Sequence, residues 1–174
     1  MKKIILGLFA LAMVLQLGFT TQFIAQTIDD GMLPEIEIRF ANFKYLNSVN
    51  NADMDLPVKL LEREVANFDI TSLDLYQEEY DFYNVSFYIP EGQIVASYDK
   101  DGNLTETIEK FVNIDPPQSV IQAVKKRYPG WIIYKDVYKV KYHKDKGTIQ
   151  KFKLILENGD KRIRVNFDVN GEIL

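Results

Sequence analysis

The chain has 174 residues, which suits one domain of ordinary size or two small ones. Its 47% of hydrophobic residues is enough for a packed core and argues against global disorder. Cysteine is absent and histidine occurs once, which excludes disulfides, thiolate chemistry, lipid attachment through an N-terminal cysteine and the usual kinds of zinc site. The formal net charge of −4 argues against nucleic acid as a partner.

The first 26 residues predict a secretory signal peptide. Two lysines precede an apolar stretch from Ile4 to Leu15, and polar residues then lead to a cleavage point near residue 25 or 26. The alternative is an uncleaved anchor, but the apolar stretch is short for a bilayer span of about 20 residues. We therefore expect an exported protein, periplasmic or secreted, without stable membrane insertion after cleavage.

Residues 27–54 predict a strand followed by a loop. Ile36, Ile38 and Phe40 alternate with charged residues, which is the pattern of a half-buried strand. The polar segment that follows, residues 47–55, is typical of a loop.

Residues 55–115 predict a helix followed by strands. Asp55 is the expected N-cap, and Pro57 lies in the first turn, where its missing N–H costs nothing. The apolar stripe of this helix consists of Leu60, Leu61, Val65 and Phe68. Strand-like segments follow around residues 73–76 and at 83–89, 93–99 and 105–112.

Residues 116–174 show the same order of elements. Asp115 is the expected cap, Pro117 lies in the first turn, and Pro129 and Gly130 end the helix. Its apolar stripe consists of Val120, Ile121, Val124 and Tyr128. Three long strands are predicted at residues 131–143, 148–157 and 161–169.

The two segments align with each other along the sequence. At an offset of 60 residues the expected caps, prolines and apolar stripes coincide, and at an offset of 69 the segment from Ile94 to Leu104 coincides with that from Ile163 to Ile173. The difference of nine residues predicts a longer first hairpin in the second copy. We therefore predict an α+β protein built from two tandem αβββ repeats, 55–115 and 116–174, with an extra N-terminal strand.

The helix PPQSVIQAVKKRYPGW, the hairpin KFKLILENGDKRIRVNFDVNGEIL and this doubled layout resemble the PepSY-like, beta-lactamase-inhibitor-protein-like family of exported bacterial proteins. The resemblance covers roughly residues 55–174 and is strongest from residue 112 onward, whereas the first repeat has NFDI in place of the Tyr-Pro-Gly helix stop. It implies a helix packed on a curved antiparallel sheet in each repeat, and a role in binding or inhibition rather than catalysis.

Two aspartate-rich segments look like the beginning of calcium-binding loops. A twelve-residue loop that starts at Asp99 needs glycine in its sixth position and glutamate in its twelfth, but these residues are Leu104 and Lys110. A turn explains Asp99 and the equivalent Asp168 better, because Asp and Asn tolerate left-handed backbone and Gly supplies positive φ. We therefore expect no metal and no cofactor.

Catalysis has little support among the residues. His143 is predicted at a hairpin tip, and one histidine supplies neither a supported Ser-His-Asp arrangement nor the paired-histidine motif of a nucleotidyltransferase. The carboxylate pairs Glu62–Glu64 and Glu78–Glu79 are interpreted as a solvated acidic face.

Charge divides the chain into an acidic and a basic half, since residues 27–115 contain 6 basic and 19 acidic residues and residues 116–174 contain 13 and 6. In the last two strands, apolar and basic residues alternate. One face therefore gathers Lys151, Lys153, Arg162 and Arg164, and Lys135, Lys139 and Lys141 extend it. This face is either a solvated outer surface or a docking surface for an acidic partner, with aromatic anchors among Trp131, Tyr134, Tyr138 and Tyr142.

These patterns predict a non-enzymatic exported binding module, inhibitor-like by resemblance, that docks a protein or peptide on an open sheet face. The alternative is a structural or self-associating cell-envelope protein, in which that face is covered. An enzyme is the third hypothesis. The candidate partner-binding residues are Trp131, Tyr138, Lys139, Lys141, Lys151, Lys153, Arg162 and Arg164.

Overall fold

The computed structural model describes residues 41–77 and 79–174. The predicted signal peptide and the strand predicted at residues 36–40 lie outside these residues. Within the described ranges, no helix has the length and apolar character needed to cross a membrane.

Three α-helices and six β-strands make up this part of the chain, which confirms the α+β class. The helices are α1 (Phe43–Val49), α2 (Leu56–Asn67) and α3 (Gln118–Arg127), with a short 3-10 helix at Ile70–Ser72. The strands are β1 (Phe82–Ile89), β2 (Gly92–Asp99), β3 (Leu104–Val112), β4 (Ile132–His143), β5 (Gly147–Asn158) and β6 (Lys161–Asp168).

The strands form one open antiparallel sheet in the order β1-β2-β3-β4-β5-β6, so each strand pairs with its neighbours in sequence. The pairing of β3 with β4, with Phe111 opposite Tyr138, joins the two halves of the chain into a single sheet. The aromatic rings of Phe111, Tyr138 and Phe152 stack across three strands, with centroid distances of 6.2 and 4.7 Å. These rings lie in the core, on the face of the sheet that the helices cover.

Helix α1 ends within the segment 47–55 that was predicted as a loop, so that prediction is wrong for residues 47–49. Tyr45 and Val49, four residues apart, are both 1% exposed and form the helix's buried face. The helix lies over β5, where Gln150 Nε2 donates to the carbonyl of Val49 at 2.9 Å. Because α1 is only seven residues long, it has too few turns to show a clear helical period.

Helix α2 begins as predicted, because Asp55 Oδ1 accepts a hydrogen bond from the backbone N–H of Leu56 at 2.8 Å and Pro57 lies in the first turn. Its buried face differs from the prediction, since Leu60 is 55% exposed and Glu62 is 1% exposed. The residues that face the sheet are Val58, Leu61, Glu62, Val65 and Ala66.

Helix α3 begins at Gln118 with Pro117 as its N-cap, so the prediction of Asp115 as the cap is wrong. The backbone N–H of Asp115 instead donates to Asp55 Oδ2 at 3.0 Å. Val120 and Val124 bury the helix against the core, and Gly130 follows its end with a φ of +81°.

The strand expected around residues 73–76 is also absent from the structure. Asp69 caps the 3-10 helix by accepting a hydrogen bond from the N–H of Thr71 at 2.9 Å, and the chain then turns. Leu73 and Leu75 are 41% and 80% exposed, so their hydrophobicity marks a surface segment here rather than a buried strand.

Candidate binding face

The two faces of the sheet differ because successive side chains on a strand point to opposite sides. On β5, Phe152, Leu154 and Leu156 are at most 1% exposed, while Lys153 between them is exposed. On β6, Arg162 and Arg164 are exposed and Phe167 is fully buried. The predicted sidedness of Lys151, Lys153, Arg162 and Arg164 is therefore confirmed, and we call the side opposite the helices the open face.

Three lysines lie directly opposite one another in the middle of the open face. Lys110 of β3 is in register with Lys139 of β4, and Lys139 is in register with Lys151 of β5. Directly opposed residues on neighbouring strands have Cβ atoms about 4.5–5.5 Å apart, and like charges in these positions destabilise the pairing. We call these three residues the lysine row. Among the described residues, none of its members takes part in an ion pair.

Apolar side chains flank the lysine row. Ile108, Lys141 and Ile149 form the next row of the open face, and the two isoleucines are 57% and 64% exposed. A groove of about 330 Å³ runs between them and the lysine row. The open face can therefore offer both positive charge and hydrophobic contact to one ligand.

Two of the predicted basic residues already have partners within the chain. Lys141 Nζ lies 3.1 Å from Glu106 Oε1, and Arg162 Nε donates to Glu157 Oε2 at 2.6 Å. The guanidinium of Arg162 also lies over the ring of Tyr134, 4.0 Å from its centroid. Lys135 Nζ lies 5.5 Å from the centroid of the same ring. Among the described residues of the open face, the basic ones without such contacts are therefore the lysine row, Lys153 and Arg164.

The aromatic anchors require a correction. Tyr138 is fully buried between the rings of Phe111 and Phe152 and cannot contact a partner. Tyr142 is 2% exposed, and Trp131 is half-buried against the core. Tyr134 is 43% exposed, but Arg162 covers its ring. Isoleucines, rather than aromatic residues, supply the exposed apolar surface beside the lysine row.

Lys110 and Ile108 were missed because β3 belongs to the acidic half and its alternation is ambiguous. Hydrophobicity alone favours Ile108 as a core residue and Glu109 as a surface residue, yet Ile108 is exposed and Glu109 is 1% exposed. A register shift between Ser97 and Tyr98 of β2 changes which residues of β3 face the helices. Phe111, in phase with Glu109, is the signal that could have revealed the true orientation.

A pair of buried carboxyl groups lies on the other side of the sheet. The prediction that Glu62 belongs to a solvated face is wrong, since Glu62 is 1% exposed. Burial and then the charge of Glu109 raise its pKa to about 9. Burial also raises the pKa of Glu109 to about 7. Glu109 Oε1 accepts hydrogen bonds from the hydroxyls of Tyr45 at 2.9 Å and Thr107 at 2.7 Å. These carboxyl groups are ionisable and buried in the core, so their protonation affects the stability of the fold.

The aspartate segments are turns, as predicted. Asp99 Oδ1 accepts hydrogen bonds from the backbone N–H groups of Asp101 and Asn103 at 3.1 and 2.9 Å. Asp168 Oδ1 accepts equivalent bonds from Asn170 and Glu172 at 2.9 and 2.8 Å. Partial burial acts to raise the pKa of Asp99, but the bonds from Asn103 and Asp101 and the charge of Lys144 hold it below its ordinary value. The absence of calcium binding stays a prediction.

His143 ends β4 at the tip of the β4–β5 hairpin, as predicted. Its Nδ1 accepts a hydrogen bond from the backbone N–H of Asp145 at 3.1 Å, which stabilises the turn.

No family model matches the chain, and no curated protein matches it. The resemblance to the PepSY-like family therefore stays a prediction.

Proposed function

We propose that the protein is a non-enzymatic binding module that docks an acidic protein or peptide on the open face of the sheet. The lysine row carries this proposal. Lys110, Lys139 and Lys151 lie opposite one another on three adjacent strands, an arrangement that weakens strand pairing. The carboxylates of an acidic partner would attract all three lysines. The row is therefore unfavourable in the free chain and favourable in the complex.

The partner is expected to combine carboxylates with apolar side chains. Ile108 and Ile149 border the groove beside the lysine row and stay largely exposed in the free chain. Burial of apolar surface contributes roughly 25 cal/mol per Å². The lysines would speed the encounter, and the isoleucines would lengthen the lifetime of the complex.

Export and family membership belong to the same proposal. Export is supported by the lysines and apolar stretch at the N-terminus, and the PepSY-like resemblance by the residues from 112 onward. Tandem αβββ repeats are supported by the equivalent hydrogen bonds of Asp99 and Asp168 and by the lengths of the first hairpins. Strands β4 and β5 have 12 residues each, where β1 and β2 have eight.

The test compares partner capture by the wild type, the variant Lys110→Glu/Lys139→Glu/Lys151→Glu and a matched control. The control, Lys100→Glu/Lys146→Glu/Lys161→Glu, changes the net charge equally at exposed positions in or next to turns. We expect the row variant to lose partners that the control retains, and we expect capture by the wild type to weaken with salt, because exposed charges are screened beyond about 8 Å at physiological ionic strength. Equal capture by the row variant and the control contradicts the proposal.

A further inference from the structure

Strand β1 forms one edge of the sheet, and its eight residues, FYNVSFYI, include no charged side chain. In the part of the chain that the structure describes, β2 is its sole neighbour. An edge strand presents a row of backbone N–H and C=O groups that can pair with another strand, and proteins normally block such edges with charge, proline or bulges. Between Phe82 and Ile89 the β1–β2 register has no bulge.

The opposite edge is protected by charge and by the C-terminal residues, since Ile173 pairs with Phe167 of β6. Strand β6 has the same length and carries four charged residues, Lys161, Arg162, Arg164 and Asp168. The contrast indicates that β1 has a pairing role and β6 does not.

Side chains along β1 are also incompletely covered. Phe82 and Tyr88 are 67% and 68% exposed on the open face. Towards the helices, Val85 and Phe87 are only half-buried, although the ring of Phe68 packs against Phe87 with a centroid distance of 5.2 Å. An added strand would cover residues on both faces at once.

We propose that β1 pairs antiparallel with β1 of a second copy of this chain. An uncharged strand can lie beside itself without opposing like charges, which the charged β6 cannot do. The predicted strand at residues 36–40 is a poorer occupant, because Glu37 and Arg39 would find no counter-charge on β1. An acidic partner would find no cation there either.

Two-fold pairing uses each β1 edge once, so the assembly closes as a dimer. The two-fold axis of an antiparallel strand pair is perpendicular to the sheet, so both open faces lie on the same side of one continuous sheet. If the proposed function holds, the dimer presents two lysine rows side by side, and a partner with two acidic segments gains avidity.

The test measures the oligomeric state of the purified protein by analytical ultracentrifugation, without any partner. Ser86 lies in the middle of β1 on the open face and is exposed, so Ser86→Lys and Ser86→Glu leave the fold intact while they place like charges near the two-fold axis. We expect the wild type to dimerise, each variant to dimerise at least about tenfold more weakly, and an equimolar mixture of the two variants to recover dimers. The matched control is Asn166→Lys, at an exposed side chain of the other edge strand, β6, and it should dimerise like the wild type.

A wild type that stays monomeric at about 100 µM overturns the proposal and indicates that another segment of the chain covers β1. A Ser86→Lys variant that dimerises like the wild type overturns it too. The outcome is independent of the docking proposal, since the lysine-row variant should still form dimers whether or not it captures a partner.

Discussion

In the core, the charge of Glu109 on β3 acts on Glu62 of α2 and raises its pKa. Burial is the larger cause of the raised pKa of Glu62, and the charge of Glu109 is the second. Tyr45 and Thr107 donate hydrogen bonds to Glu109, so the ionised form of Glu109 has support that Glu62 lacks. Tyr138 also faces the pair, and burial and then the charges of Glu62 and Glu109 raise its pKa. Two ionised carboxylates here would bury two negative charges together, so at neutral pH at least one proton stays bound.

Stability should therefore fall as the pH rises. In the unfolded chain both carboxyls ionise near 4.5, whereas in the folded protein the pKa values are about 9 for Glu62 and about 7 for Glu109. The stabilising contribution is complete below pH 4.5 and is lost as the pH rises through 7 and then 9. We expect the free energy of unfolding from urea titrations to drop by at least about 2 kcal/mol between pH 5 and pH 8. A flat or rising profile would contradict this account of the pair.

Removal of one ionisable group should weaken this pH dependence. Glu62→Gln keeps the shape of the side chain and cannot acquire a charge, so we expect it to stabilise the protein by about 1–2 kcal/mol at pH 8 and to have little effect at pH 5. Glu64→Gln is the control, since Glu64 lies two residues away on α2 and is exposed. The idea fails if the two variants show the same pH profile.

Glu62 is also an example of a buried residue that the sequence pattern does not reveal. The start of α2 was predictable because Asp55 and Pro57 act through local backbone chemistry. Which stripe of α2 faces the sheet depends on tertiary packing, and Val58 and Leu60 are equally apolar candidates. In the structure the stripe that contains Val58 and Glu62 packs against the sheet, and Leu60 lies at the surface.

The open face was predictable in part for the same reason. From Lys151 to Leu154 of β5 and from Arg162 to Phe167 of β6, apolar residues alternate with basic or polar ones, so their sidedness follows from the strand period alone. Lys110 required the register of β3 against β4, which is a pairing between distant segments that no local pattern encodes. The lysine row is consequently a property of the fold and could not be predicted from one strand.

Two glycines allow the stability cost of backbone strain to be separated from the stability cost of a steric clash. Gly147 and Gly171 both have left-handed φ, +80° and +84°, but a Cβ on Gly147 meets nothing within 4 Å, whereas one on Gly171 would lie 2.6 Å from the carbonyl oxygen of Ser119. We expect Gly147→Ala to cost about 1–2 kcal/mol from conformation alone, and Gly171→Ala to cost more because it displaces α3. Equal losses in urea unfolding would show that α3 does not depend on this close contact.

Calcium should have no effect on the protein. The carboxylate of Asp99 is already occupied by two backbone N–H groups, and Lys110 stands where a chelating glutamate is required. We expect flat calorimetric titrations with calcium and the same melting temperature in calcium and in EDTA, since a ligand stabilises only the state that it binds. Micromolar binding that Asp101→Ala abolishes would refute the turn interpretation.

The lysine row should cost the free protein stability. Lys139 lies between Lys110 and Lys151, so Lys139→Met removes both repulsive pairs while it keeps the aliphatic stem. The matched variant Lys153→Met changes the same open face, but its cross-strand neighbours are Val137 and Asn166. We expect Lys139→Met to stabilise the protein by about 0.5–1 kcal/mol at low salt and Lys153→Met to have a smaller effect. Salt should stabilise the wild type more than Lys139→Met, because screening relieves the same repulsion. If Lys139→Met instead destabilises the protein and leaves its salt dependence unchanged, the three ammonium groups avoid one another, and the charge opposition on which the docking proposal depends does not exist.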